Sequence, residues 1–103
     1  MKLTVSERLS IEQFLPREGT MLEQITARDI LQKTKILPGE REKIKWYQSP
    51  KGLEIAEESD FEVDFEFEKS EIEMLKEGFR KLEESKKINQ QNISLALKLR
   101  DLK

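Results

Sequence analysis

The chain has no cysteine and no histidine among its 103 residues. Without cysteine there is no disulfide framework and no thiol chemistry. Without histidine the commonest metal ligand and the commonest general base are both missing. No apolar run approaches about 18 residues and no signal-peptide pattern opens the chain, so a cytoplasmic protein with no membrane association is expected. No phosphate-cradling glycine loop, nucleophile elbow or zinc-ligand spacing is present. Carboxylate pairs are common only because acids are common, so they do not point to a two-carboxylate hydrolase. The expectation is a non-enzyme with no cofactor and no metal.

What the chain does contain is charge in a periodic arrangement. Charged residues make up 39% and hydrophobic residues 36%, with a net charge of −2. The apolar positions recur regularly, which argues against disorder. The length fits a single small domain spanning 1–103, with a modest core. Residues 1–50 carry nine Lys/Arg against seven Asp/Glu, residues 51–69 two against eight, and residues 70–103 eight against six. The middle of the chain is therefore an acidic block.

The clearest local signal lies in 61–82, FEVDFEFEKSEIEMLKEGFRKL. Phe61, Val63, Phe65 and Phe67 alternate with Glu62, Asp64, Glu66 and Glu68, which predicts a strand over 61–67 with one apolar and one anionic face. Ser70 and Glu73 stand at capping-box spacing. Ile72, Leu75, Phe79 and Leu82 then follow at helical spacing, predicting a helix over 70–86. Gly78 in its interior is unfavourable by about 1 kcal/mol relative to alanine, unless a neighbour approaches closely there.

Thr4/Glu7 and Thr20/Glu23 repeat the cap spacing. They predict helices over 5–15, ended by Pro16, and over 21–34. Pro38 predicts one helical turn over 39–43. Ser49-Pro50-Lys51-Gly52 has the composition of a type I turn and joins strands over 43–48 and 53–56. Together with 61–67 these form one small antiparallel sheet, with Trp46 beside Ile44 on its buried face. Asn89 precedes a segment, 90–102, that reads as a helix, with a terminal strand as the alternative. Its leucines fall on two faces, which points to broad burial or to docking on a second molecule. The expected class is α+β: two N-terminal helices, a small antiparallel sheet made of a hairpin plus one strand, and a C-terminal helical hairpin.

Two surfaces are candidates for binding. Glu62, Asp64, Glu66 and Glu68 line one strand face and would imitate a phosphate backbone in a basic site on another protein. Their repeat of about 6.6–6.8 Å is sparser than the charge of duplex DNA. A solvated outer face that discourages edge pairing is the plainer reading. Such carboxylates diverge, which disfavours calcium. Trp46 and Tyr47 among Lys43, Lys45 and Lys51 would suit a nucleic acid strand, but Glu40 and Glu42 nearby repel phosphate, and direct nucleic-acid binding is not expected.

Three segments carry a family resemblance: ERLSIEQFLPREGTMLEQITARDILQ, KIKWYQ and FEFEKSEIEMLKEGFRKLEESKKINQQNISLALKL. Their "ERL…LP-x-(E)G" opening, tryptophan-containing middle and late "F-x-K-x-E" helix start resemble small phage and prophage proteins of unknown function. The resemblance covers most of the chain and assigns no residue a role. It implies a non-catalytic accessory protein that binds a host or phage protein or assembles with itself. The alternative is an acidic inhibitor that mimics nucleic acid and blocks a basic site on a host defence or transcription enzyme.

Overall fold

The computed structural model describes residues 1–102 and has an α+β architecture. The chain opens with a strand, β1 (Lys2–Thr4), too short to leave a readable period in the sequence. Thr4 ends β1 and caps α1 (Val5–Ser10): its Oγ1 accepts from the Glu7 amide at 3.1 Å, and Glu7 Oε1 accepts from the Thr4 amide at 2.8 Å. The helix expected over 5–15 tightens at Ile11–Phe14 into a 3₁₀ turn. At the junction the Ser10 hydroxyl donates to the Glu7 carbonyl, a local bond that competes with regular helix geometry.

The second helix, α2 (Met21–Thr34), runs as expected, capped by Thr20 and Glu23. It is followed by one turn, α3 (Pro38–Arg41), with proline at its start. A hairpin comes next, β2 (Trp46–Ser49) and β3 (Gly52–Ile55), with Trp46 opposite Ile55 and Ser49 opposite Gly52. Gly52 sits at φ +113°, a region closed to most side chains. A further 3₁₀ turn at Glu57–Ser59 leads to β4 (Glu62–Asp64).

The single three-stranded sheet does not form. Instead β4 pairs antiparallel with β1, Leu3 opposite Val63, and the hairpin stands apart as its own two-stranded sheet. Pairing is also shorter than the alternation in 61–67 suggests, because β1 offers only three residues. Separation of the sheets changes the hairpin's surroundings. Ile44 is buried just before β2, but Trp46 is 46% exposed rather than buried beside it.

The C-terminal half is a helical hairpin of α4 (Lys69–Glu84) and α5 (Ile93–Asp101), so 90–102 resolves as helix, not strand. Asn89 Oδ1 accepts from the amides of Gln91 and Asn92, which delays regular helix to Ile93. The predicted Ser70/Glu73 cap is displaced by two residues: α4 begins at Lys69 with Glu68 at the cap, where Glu71 Oε1 accepts from the Glu68 amide at 2.7 Å. The core gathers Leu3 from β1, Ile11 and Phe14 from the first 3₁₀ turn, Ile30 from α2, Leu75 from α4, and Leu95 and Leu99 from α5. Gly78 lets α4 lie directly on the first 3₁₀ turn. A Cβ at this position would stand 1.8 Å from the Phe14 carbonyl oxygen.

Candidate functional site

The ionisable groups that are buried hold the elements together. Glu7 is 1% exposed. It accepts from Lys98 Nζ and Ser94 Oγ, both at 2.6 Å, joining α1 to α5. Burial alone would raise its pKa; the bonds from Lys98, Ser94 and the Thr4 amide outweigh it and hold the carboxyl below its usual value. Arg8 forks onto both carboxylate oxygens of Glu40 at 2.7 and 2.8 Å. It also donates to the Thr34 and Lys35 carbonyls at the end of α2. The Arg8 guanidinium lowers the Glu40 pKa to about 2. Lys33 donates to Glu71 Oε1 at 2.6 Å, joining α2 to α4. No buried side-chain polar atom lacks a partner among the described residues.

The four acids singled out from the sequence do lie on one exposed side, but they are not equivalent. Glu62 and Asp64 belong to the ladder, while Glu66 and Glu68 lie in the extended lead into α4. Glu62 Oε2 is 3.3 Å from Lys98 Nζ, and Asp64 Oδ1 accepts from the Met1 ammonium at 3.1 Å. The carboxylates of Glu66 and Glu68 make no hydrogen bond or ion pair among the described residues. The four do not converge on a point, and no group of three or more possible metal ligands forms among the described residues.

A second surface includes Trp46, weighed from the sequence for nucleic acid and expected on a buried face, but joins it to apolar residues instead of to lysines. Residues paired across an antiparallel ladder share a face, so Trp46 and Ile55 point the same way, as do Gln48 and Leu53. That face overlooks α1 across a groove of about 400 Å³ lined by the apolar Leu9, Trp46, Leu53 and Ile55 and by polar residues that include Ser6, Gln13, Glu54 and Gln90. Leu53 is 64% exposed and Leu9 is 51% exposed. Tyr47 lies on the opposite face, where hydrogen bonding to Glu54 raises the pKa of its phenol. The sequence signal for the groove was the alternation Trp46, Gln48 against Leu53, Ile55; nothing in it told which face the body of the protein would cover.

On the other side of Leu9 and Gln13 lies a larger groove of about 1220 Å³, bounded by α2, the Leu15–Arg17 turn and the connection between α4 and α5. Met21, Leu22 and Ile25, apolar residues of α2, are exposed. The buried face of α2 is confined to Ala27, Ile30 and Thr34. No helix among the described residues is long and apolar enough to cross a membrane. Comparison with protein-family models, with curated proteins and with solved structures finds no match.

Proposed function

We propose that this is a small, non-catalytic accessory protein of the phage type, which acts by docking on a protein partner through the apolar face of its hairpin. The observation that carries this reading is the uncovered cluster of Trp46, Leu53 and Leu9 around one groove. Tryptophan is among the residue types most often found to dominate binding energy in protein interfaces, and polar residues of the same groove, such as Gln13 and Gln90, would form a rim around it. A non-catalytic role is supported by the use of the buried charges Glu7, Arg8 and Glu71 as links between elements.

Nucleic-acid mimicry by Glu62, Asp64, Glu66 and Glu68 is the second reading. Its support is that all four are exposed, with Glu66 and Glu68 in no ion pair among the described residues. Its weakness is that Glu62 and Asp64 already face positive groups of their own chain.

One experiment separates the two. Tagged protein is used to capture partners from host lysate and washed at about 50 mM and, separately, at about 300 mM salt, because exposed charge pairs hold at the lower concentration and are screened at the higher. The wild type is compared with Trp46→Ala/Leu53→Ser and with lysine at positions 62, 64, 66 and 68, each checked by circular dichroism. The hairpin reading expects the partner to be lost from the first variant and kept by the second. The reverse pattern supports mimicry, and a partner kept by both variants overturns the hairpin reading. Sedimentation of the purified protein tests whether the partner is a second copy: dimerisation abolished by the hairpin variant would show it.

A further inference from the structure

We infer that the larger groove, between α2 and the α4–α5 connection, is a binding site for an acidic amphipathic helix of a partner protein. This goes beyond the hairpin face and does not depend on it. The walls carry Arg17, Arg28, Lys86 and Lys87 against a single acid, Glu12. The chain as a whole is net negative, so the groove reverses the sign of the surface around it. Among the described residues the only ion-pair contact of these four cations is Arg28 with Asp29, at 4.0 Å. Cations gathered without partners attract an anionic ligand and set its orientation.

The floor determines what kind of anion fits. Leu15, Pro16, Ala27, Leu82 and Ile88 supply an apolar base beneath the charged rim. A helix has a cross-section about 10–12 Å wide. A groove of about 1220 Å³ then takes about two to three turns of it. An apolar stripe would cover the floor while carboxylates on its flanks reach the rim, the recognition mode of helix-in-groove partners. A nucleic acid strand fits less well. Its bases seek aromatic faces, and no aromatic side chain lines this groove; Trp46 and Tyr47 lie on the hairpin, beyond Leu9.

Lys86 adds a local observation. It follows the end of α4 at φ +58°, the one non-glycine residue with positive φ among the described residues. The Lys87 amide closes back on the Leu82 carbonyl at 2.8 Å, the closure usually made with glycine in the Lys86 position. The positive position therefore holds a cation where backbone conformation favours glycine. The helix dipole welcomes positive charge there, but Lys81 in the last turn and Lys87 beyond it already supply that.

The test uses a fluorescein-labelled peptide of about 14 residues, with leucines at helical spacing and glutamates elsewhere. A scrambled peptide of the same composition, and single-stranded and duplex DNA of comparable charge, serve as controls. Fluorescence anisotropy at about 50 mM salt reads binding, and repetition at about 300 mM reads its charge dependence. Saturable binding of the amphipathic peptide at micromolar concentration is expected. Arg28→Glu/Lys87→Glu should weaken it at least about 10-fold. Trp46→Ala should leave it unchanged, so that failure of the hairpin reading and of this one are told apart. Lys86→Gly should weaken binding about 3-fold while raising the thermal midpoint by about 5 °C, which no loss of fold can imitate. Three outcomes would each overturn the inference: no saturable binding up to about 1 mM, equal binding of the scrambled peptide, or tighter binding of DNA that the same charge reversals abolish.

Discussion

Gly78→Ala is the substitution in which helix propensity and packing predict opposite signs. In an exposed helix interior, alanine is more stable than glycine by about 1 kcal/mol. Here the new methyl carbon would lie 1.8 Å from the Phe14 carbonyl oxygen, 2.6 Å from its carbonyl carbon and 3.0 Å from its Cα. The obstruction is backbone, so no rotamer change relieves it. To bring the nearest contact out to 3.0 Å, α4 and the Ile11–Phe14 turn must part by 1.2 Å. Phe14 and Leu75 are almost fully buried at that junction. A gap of that order forfeits roughly half of the dispersion attraction of the atoms it separates. Overpacking with backbone shift costs about 1–3 kcal/mol and sometimes more. Taken at its upper end and offset by the propensity gain, the net loss is about 2 kcal/mol, a fall in thermal midpoint of about 8–16 °C for a domain of this size. Urea unfolding followed by far-UV circular dichroism measures it. Gly39→Ala is the control, because Gly39 is also helical and nothing lies within 4 Å of its would-be Cβ; it should raise stability by about 0.4–1 kcal/mol. If Gly78→Ala proved as stable as the wild type, α4 would not be seated on Phe14 and the packing described for the two halves would be wrong.

Acid should weaken the fold through Glu40. Its folded pKa of about 2 lies below the ordinary 4.5, so the unfolded chain binds more protons between those values, and stability is full above about pH 4.5 and declines as pH falls towards 2. Glu40→Gln should remove about 2 kcal/mol at neutral pH and flatten that decline, read as urea midpoint against pH. Lys98→Met should cost about 3 kcal/mol in thermal melts, because Glu7 would stay buried without its cation. Iodide should quench the fluorescence of the single tryptophan readily, since Trp46 is half exposed; strong protection in the free protein would place it in the core instead. Glu71→Ala should cost about 1–3 kcal/mol in urea unfolding, through loss of both the α4 cap and the Lys33 pair. Ser70→Ala and Glu73→Ala, both exposed, should change stability by less than about 0.5 kcal/mol.

Local chemistry was legible where one residue determines the outcome. Thr4 and Thr20 start helices because their hydroxyls accept from the amide three residues on. Pro38 opens a turn, and Gly52 closes the hairpin at positive φ. The alternation from Phe61 to Glu68 also held as exposure, with the acids out and Val63, Phe65 and Phe67 partly buried. Illegible were the decisions made between distant segments. Lys2–Thr4 carries no pattern, yet it takes the edge of β4 that the hairpin was expected to occupy. With that edge taken, Trp46, Leu53 and Leu9 lose the cover that their hydrophobicity implies. Periodicity states that a face is apolar; it does not state what covers it.

The four N-terminal glutamates show how the same sequence signal acquires a tertiary meaning. Glu7, Glu23, Glu40 and Glu71 each stand at the third position of a helix, and each accepts from the backbone amide three residues earlier. Glu23 does only that, and it remains exposed. The other three also bind a cation on another element: Lys98 for Glu7, Arg8 for Glu40, Lys33 for Glu71. A carboxylate that must accept from its own cap is already oriented, so less side-chain entropy remains to be lost when a second donor arrives. This explains why α4 starts at Lys69 and not after Ser70. Both registers offer a glutamate at the third position, and only the earlier one turns that glutamate inward, towards Lys33 on α2. Ser70 is the better capping residue in isolation. It yields because the tertiary pair at Glu71 is worth more than a serine cap in water, so a large loss in Glu71→Ala beside almost none in Ser70→Ala is the expected pattern.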